Sequence, residues 1–202
     1  MNFGADLSSI GISIRDQFIS DAEVQALREC AHVRESRGEF APARIGGEGA
    51  QQRRESIRGD FTCWLREPLL PMEQVLQRRM EELRLQLNRE AFLGLFELEL
   101  HYARYPPGSA YARHVDQPLG NSQRRVSLVL YLNPGWQRSD GGVLRIHDAK
   151  DGDADAKDGF IDVEPLGGRL VCFLTPGREH EVLEARCERL SISGWLRARQ
   201  PQ

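Results

Sequence analysis

The stretch "RRVSLVLYLN", residues 124–133, decides the fold class of this chain of 202 residues. It is a short, nearly continuous run of β-branched and aliphatic residues, which is typical of a buried strand. Similar runs flank it, separated by glycine, proline and aspartate: "FELELHYARY" (96–105), "GGVLRIHD" (141–148), "FIDVEP" (160–165), "RLVCFLT" (169–175), "EHEVLEA" (179–185) and "RLSISGWLR" (189–197). Many short strands with regular turns predict a mainly β jelly roll, sandwich or barrel over residues 95–198.

The first half of the chain has a helical pattern instead. "SDAEVQALRECAHVR" (20–34) opens with Ser20 and has Glu23 three residues later, the signature of a capping box. A second helix is predicted within "EPLLPMEQVLQRRMEELRLQLN" (67–88), where Pro71 suits the first turn. We expect one domain, residues 1–202, in which a helical support region (1–94) packs on one sheet of the β core.

The composition restricts the partners and the compartment. The net charge of −3 gives no field that would attract nucleic acid or an anionic membrane, and no apolar window is long enough to span a bilayer. The N-terminus makes a poor signal peptide. The four cysteines form no C-x-x-C pair: Cys30, Cys63, Cys172 and Cys187. We therefore expect a cytoplasmic protein with reduced thiols, and we expect a monomer.

Two polar segments interrupt the pattern. "RGEFAPARIGGEGAQQRRESIRGD" (37–60) has no periodicity, and within it the loop 38–58 is predicted either as a surface loop or as a lid that orders over a substrate polypeptide. "DAKDGDADAKDG" (148–159) lacks the glutamate that closes a calcium-binding loop, so we interpret it as a solvated acidic hairpin.

"YARHVDQP" (111–118) contains the first candidate metal ligands, His114 and Asp116. Residues i and i+2 of a strand point to one face, so both side chains could reach one cation. Such a pair arises easily by chance in a chain with 5 histidines and 30 acidic residues. A lone pair would therefore be interpreted as a surface feature.

A third ligand and an arginine lie downstream. His180 opens "HEVLEA", and Arg189 starts the next strand nine residues later, so we expect a short hairpin to bring these strands side by side. Two histidines and one carboxylate suit non-haem Fe(II) with open positions. A buried arginine could hold a carboxylate by a bidentate pair, as a 2-oxoglutarate site requires. Of the other histidines, His101 is interpreted as a hydrogen-bonded barrel residue and His147 as a strand-end residue.

The combined motifs resemble the 2-oxoglutarate- and Fe(II)-dependent prolyl 4-hydroxylases, and in particular the group of hypoxia-inducible-factor prolyl hydroxylases. The matching stretches are "YPPGSAYARHVDQP", "VSLVLYLNPGW", "GGVLRI", "PLGGRLVCFLTPGREHEV" and "RLSISGWL", in the right order over residues 102–196, with "RGDFTCW" (58–64) upstream. The resemblance implies a double-stranded β-helix of the cupin-like jelly-roll type, with helices buttressing one sheet.

The resemblance also implies residue roles. His114, Asp116 and His180 would be catalytic iron ligands, and Arg189 would bind the distal carboxylate of 2-oxoglutarate. Four further positions match pocket residues of the family: Tyr131, Tyr105, Ser193 and Trp195. The two tyrosines and Ser193 would contact the cosubstrate, with a weaker hydrogen bond from Ser193 because relatives carry a threonine there. Trp195 would line the substrate side or the core.

The implied reaction is hydroxylation of a prolyl residue in a protein substrate, with dioxygen consumed, succinate and CO₂ as co-products, and ascorbate as a reductant. Three alternatives stay open at this point. A same-fold oxygenase could act on a small molecule or another side chain. A non-enzymatic module could bind metal structurally. A cupin-like metal protein could work without 2-oxoglutarate, although it would not need Arg189.

Overall fold

The structure, a computed structural model, describes residues 3–43, 58–116, 123–147 and 159–199. These residues form three α-helices: α1 (Phe3–Ser9), α2 (Asp21–Ser36) and α3 (Pro71–Ala91). They also form eleven strands: β1 (Ile12–Arg15), β2 (Ala41–Pro42), β3 (Phe61–Trp64), β4 (Leu95–Tyr105), β5 (Ser109–His114), β6 (Arg124–Tyr131), β7 (Leu144–His147), β8 (Phe160–Val163), β9 (Leu170–Leu174), β10 (His180–Ala185) and β11 (Arg189–Ala198). A short 3₁₀ turn, Arg138–Asp140, precedes β7.

The strands pair antiparallel in two sheets. The large sheet has the order β1-β9-β6-β11-β4-β3-β2, and the small sheet has the order β5-β10-β7-β8. The chain crosses repeatedly from one sheet to the other, which is the winding of a double-stranded β-helix. The predicted fold class, mainly β with supporting helices, is confirmed.

The two faces of the large sheet belong to two separate cores, because side chains alternate along each strand. The face toward the helices buries Leu100, Leu128 and Leu196 against Leu27 and Met80, among others. The other face looks into the sandwich and contributes a second cluster with the small sheet: Ala103, Tyr105, Tyr131, Phe173, Ile146 and Val182. The helices therefore brace the large sheet from outside and leave its inner face for the site.

The helix predictions hold in detail. At the start of α2 the Ser20 hydroxyl accepts from the Glu23 amide at 3.3 Å, and the Glu23 carboxylate accepts from the Ser20 amide at 2.8 Å. Helix α3 begins at Pro71, whose fixed φ and missing N–H suit that position. Its buried stripe packs on the large sheet: Leu76, Met80, Leu83 and Leu87. Each such side chain stabilises the fold by roughly 1.5–3 kcal/mol on burial.

A buried ion pair ties the two long helices together. The Arg34 guanidinium donates twice to the Glu73 carboxylate, at 2.7 and 2.6 Å, and once to Glu39 at 2.6 Å. The Tyr102 hydroxyl of β4 donates to the same Glu73 carboxylate at 3.1 Å. The network joins α2, α3 and the large sheet, and every charge in it has a partner inside the protein.

The N-terminal region is more than a helical support. Residues 1–94 also supply β1, β2 and β3 to the large sheet, and β1 pairs with β9 at Ile12↔Phe173. Strand β1 has only four residues, too few for its alternation to stand out in the sequence. Within the described ranges, no helix is long and apolar enough to cross a membrane.

Candidate active site

The three candidate metal ligands meet inside the sandwich. His114 ends β5, Asp116 follows two residues later, and His180 begins β10, where it lies directly opposite His114 in the strand register. One ligand atom from each residue lies within 4.8 Å of the others. The Asp116 carboxylate oxygens lie 3.6 Å from His114 Nε2 and 3.5 Å from His180 Nε2. Two imidazoles and one carboxylate on one face are the donor set that suits Fe(II).

Second contacts fix these side chains in place. His114 Nδ1 lies 2.8 Å from the Ala112 carbonyl, and His180 Nδ1 lies 3.3 Å from the Arg178 carbonyl. An Nδ1–H that donates to a carbonyl leaves the Nε2 lone pair for a metal. The Ser127 hydroxyl donates to Asp116 Oδ2 at 2.7 Å and lies 3.0 Å from the Thr175 hydroxyl. The ligand orientations are therefore set before any metal binds.

Electrostatics hold Asp116 and His180 in the protonation states that bind a metal ion. Burial alone would raise the pKa of the Asp116 carboxyl, but His180, His114 and the Ser127 hydrogen bond hold that pKa well below its usual value. Burial lowers the pKa of the His180 imidazole to about 4, against the pull of Asp116. Near neutral pH the site thus offers a carboxylate together with a neutral imidazole at His180, the forms that bind a cation.

Arg189 lies deeper in the same pocket and is 1% exposed. Its Nε donates to the Gly142 carbonyl at 2.9 Å, and its guanidinium carbon lies 4.9 and 5.0 Å from the ring centres of Tyr105 and Tyr131. Among the residues that the structure describes, no carboxylate lies within ion-pair distance of this guanidinium. The buried Tyr131 hydroxyl forms no hydrogen bond of good geometry with a described residue, although the Arg189 guanidinium lies near it.

This surplus of donors fits a carboxylate ligand. A buried charge without a counter-ion is costly, whereas a bidentate carboxylate would satisfy it. Burial raises the pKa of the Tyr131 phenol, which stays protonated and able to donate. The arginine and the metal ligands line one pocket, as a 2-oxo acid requires if one end chelates the metal and the other is a carboxylate. The residues present therefore fit both Fe(II) and 2-oxoglutarate.

The expected hairpin between the His180 and Arg189 strands is wrong. Strand β10 pairs with β5 and β7 in the small sheet, whereas β11 pairs with β4 and β6 in the large sheet. The short connection crosses the sandwich, so the two side chains reach one pocket from opposite sheets. Gly142 makes room: a Cβ there would lie 2.9 Å from Arg189 Cδ, and its φ of +63° favours glycine.

The other predicted site residues lie at different depths. Tyr105 and Ser193 line the pocket together with Trp195, and Tyr131 lies under the Arg189 guanidinium. Ser193 Oγ is 3.4 Å from Ser191 Oγ, which accepts from Arg189 at 3.5 Å. Their roles stay predictions, since geometry alone assigns none.

The sequence reasoning missed several pocket residues. Ser127 was visible only as one polar residue in the run "VSLVLYL". Tyr111 stacks on His114 with ring centres 3.6 Å apart. Arg58, the last residue of the predicted lid loop, forms a two-pronged ion pair with Asp60 at 2.7 and 3.0 Å and lies over the Tyr111 ring. Residues 44–57 of the predicted lid loop and residues 148–158 of the predicted acidic hairpin lie outside the described residues.

Comparison with known proteins agrees with this site. The family model described as "2OG-Fe(II) oxygenase superfamily" matches residues 100–197. A prolyl-4-hydroxylase from Pseudomonas putida, known from a crystal structure, is 40% identical, with 98% of each chain covered and a TM-score of 0.85. By fold and sequence, the chain belongs to the 2OG-Fe(II) oxygenase superfamily and, within it, to the prolyl 4-hydroxylases.

More distant relatives extend the likeness. Human Egl nine homolog 1 is 30% identical over 194 residues, which cover 92% of this chain and 43% of the relative. The chain thus spans about half the length of the first curated relatives it matches, 43% to 54%. A Trichoplax adhaerens prolyl hydroxylase shares the fold at 24% identity, with a TM-score of 0.83, 96% of this chain and 87% of that chain covered.

Proposed function

We propose that the protein is a 2-oxoglutarate- and Fe(II)-dependent dioxygenase that hydroxylates a prolyl residue in a protein substrate. One observation carries the proposal: the buried Arg189 guanidinium has no described counter-ion and lines one pocket with His114, Asp116 and His180. The 40% identical relative from Pseudomonas putida, described as a prolyl-4-hydroxylase, supports the choice of proline.

The protein supplies position and charge for this reaction. His114, Asp116 and His180 would hold the iron, with Ser127 and the backbone carbonyls fixing their orientation. When bound, Fe(II) with 2-oxoglutarate and dioxygen would supply the oxidation of a C–H bond to an alcohol, with succinate and CO₂ as co-products. Ascorbate would act outside this balanced reaction, by returning oxidised iron to Fe(II).

Arg189 would orient the cosubstrate. Its guanidinium can take the distal carboxylate by two parallel hydrogen bonds, which a point charge cannot reproduce. Tyr131 would donate a further hydrogen bond, and the guanidinium also packs on the Tyr105 ring. These contacts fix which end of the 2-oxo acid faces the metal ligands.

A second cavity beside the pocket favours a polypeptide over a small molecule. A groove of about 560 Å³ runs past the pocket along β5, β10 and the segment 58–61, and it shares Arg58, Tyr111 and Val182 with the pocket. An extended chain would fill such a groove while one residue enters the pocket. Oxygenation of a small molecule or of another side chain is the second candidate.

The deciding experiment is aerobic incubation with Fe(II), 2-oxoglutarate, ascorbate and a cell extract divided into macromolecular and low-molecular-mass fractions. Mass spectrometry should find one added oxygen on specific prolines of one or a few proteins. His114→Ala is the control and should abolish both the added oxygen and succinate formation. Succinate formation that depends only on the small-molecule fraction would favour the second candidate.

We also infer a monomer that works in the cytoplasm and binds neither nucleic acid nor membrane. Support comes from the net charge of −3 and from cysteines that stay free in the described residues, including the exposed Cys187. Light scattering and cell fractionation test these points. Whether residues 38–58 act as a lid is a separate prediction, tested by shortening residues 43–52 and comparing substrate-dependent with substrate-independent succinate formation.

A further inference from the structure

His101 is a buried histidine in the wall of the active-site pocket. It lies on β4, is 3% exposed and lines the pocket with the metal ligands and Arg189. Trp64 and Ser193 are its cross-strand neighbours. Its ring lies 4.9 Å from the Trp64 ring and is stacked on Trp195 at 5.5 Å and 26°. The imidazole thus packs against two indoles in the wall of the pocket.

Two polar atoms of this stack lack partners among the described residues. His101 Nδ1 and Trp195 Nε1 are both buried, and neither has a hydrogen bond to a described residue. Such atoms normally find a partner, because an unmade buried hydrogen bond destabilises a fold. If position 101 only had to fill apolar space, phenylalanine or leucine would do so without leaving a buried hydrogen bond unmade. We therefore expect a bound ligand to supply the missing hydrogen-bond partners of both atoms.

The imidazole is neutral under working conditions. Burial, together with the positive charge of Arg58, lowers the pKa of His101 to about 4, while Asp60 and Asp116 oppose the shift and Arg124 adds to it. A neutral imidazole donates one hydrogen bond and accepts another. It can therefore pair with uncharged amide groups and would not compensate an ammonium group.

We propose that His101 is a specificity-determining residue that hydrogen-bonds the peptide group beside the hydroxylated residue, with the Trp195 indole N–H as a second donor. A prolyl residue within a chain presents two flanking carbonyl oxygens and no N–H of its own, so it needs donors. Free proline instead carries an ammonium and a carboxylate. The inference rests on the proposed function and adds how the site distinguishes a polypeptide from a free amino acid.

The test compares three variants with wild type. His101→Phe keeps an aromatic ring and removes both nitrogens, whereas His101→Asn places an amide near the position of Nδ1. His147→Phe is the matched control. His147 is also buried, its Nδ1 has no partner among the described residues, and it lies outside the pocket lining; its Nε2 lies 3.1 Å from a Glu181 carboxylate oxygen. For each protein, succinate formation is measured with and without the macromolecular extract fraction, and the ratio of the two rates is compared.

We expect the ratio to fall by roughly tenfold in His101→Phe, as for loss of one buried hydrogen bond. It should recover partly in His101→Asn and stay at the wild-type value in His147→Phe. A wild-type ratio in His101→Phe would refute the inference. So would an equal fall in His101→Phe and His101→Asn, which would indicate a packing role.

Failure of the proposed function would give results different from failure of the His101 inference. If the wild type shows extract-dependent succinate formation but no oxygen on proline, the prolyl assignment fails, and the variant ratios still test His101. If only the low-molecular-mass fraction stimulates the wild type, both the polypeptide substrate and the role of His101 are refuted. Adding free proline tests directly whether the site distinguishes a polypeptide from a free amino acid, since free proline should not raise the rate of succinate formation in any variant.

Discussion

Two buried arginines of this protein have opposite surroundings. Arg34, between the helices and the large sheet, is 4% exposed and is paired with Glu73 and Glu39. Arg189, inside the sandwich, is 1% exposed and has no carboxylate partner among the described residues. Burial of a charge is therefore no guide to function by itself. What separates a structural arginine from a binding arginine is whether the fold supplies its counter-ion.

The largest expected effect comes from making the same substitution at both positions. Arg34→Met leaves the fully buried Glu73 carboxylate without its partner, which should lower the free energy of unfolding by about 3–5 kcal/mol. Arg189→Met removes a charge that has no described partner, so the change should stay within about 1 kcal/mol or be stabilising. Urea unfolding without metal or 2-oxoglutarate measures both.

A double variant checks the cause. In Arg34→Met/Glu73→Leu both charges are gone, and most of the lost stability should return, because a well-packed apolar pair often replaces a buried ion pair without loss. Equal destabilisation by Arg34→Met and Arg189→Met would show that packing, and not the counter-ion, distinguishes the two sites.

The second prediction concerns affinity for the cosubstrate. Loss of a charge-assisted pair costs about 1.5–3 kcal/mol, so Arg189→Met should raise the 2-oxoglutarate concentration needed for half-maximal succinate formation by roughly ten- to a hundredfold. Arg189→Lys should recover little, because an ammonium does not reproduce the planar fork. An unchanged requirement in Arg189→Met would exclude this arginine as the carboxylate partner.

These contrasts also show what sequence can and cannot provide. The i, i+2 spacing of His114 and Asp116 is a local property of a strand, so the sequence shows it directly. His180 could be proposed as the third ligand because the short apolar runs predicted the fold class. The structure brings all three within 4.8 Å. The surroundings of Arg34 and Arg189 could not be predicted from the sequence. Arg34 pairs with a carboxylate 39 residues away, and Arg189 has none among the described residues; packing of the fold decides both.

The errors have physical causes. The His180–Arg189 hairpin was expected because consecutive strands usually pair, whereas jelly-roll winding sends them to opposite sheets. Strand β1 was too short to recognise. His101 was interpreted as a hydrogen-bonded barrel histidine, yet its buried Nδ1 has no described partner. Hydrogen-bond satisfaction depends on atoms from several strands, which no single stretch of sequence encodes.

A third, smaller effect is expected at the hydroxyl that orients Asp116. Ser127→Ala removes the 2.7 Å hydrogen bond to Asp116 Oδ2 and should weaken iron binding by roughly tenfold. Titrating Fe(II) against succinate formation measures it. Ser13→Ala is the matched control, since the Ser13 hydroxyl is also buried and also donates to an aspartate, Asp6, at 2.9 Å, but away from the pocket. A similar iron requirement in both variants would contradict the orienting role.

The smallest effect should come from Ser193, which contacts Arg189 only through Ser191. The two links, 3.4 and 3.5 Å long, are weak hydrogen bonds, so each adds little to the orientation of the guanidinium. Ser193→Ala should raise the 2-oxoglutarate requirement by less than about fivefold, equivalent to roughly 0.5–1 kcal/mol.

If the hydroxyls act as one chain, Ser191→Ala should have at least as large an effect, and the double variant should add almost nothing to it. Succinate formation measured across 2-oxoglutarate concentrations in all three variants decides this. Fully additive increases in the 2-oxoglutarate requirement would mean that Ser193 contacts the cosubstrate or the substrate independently of Ser191. The chain of hydroxyls would then have no role in orienting the Arg189 guanidinium.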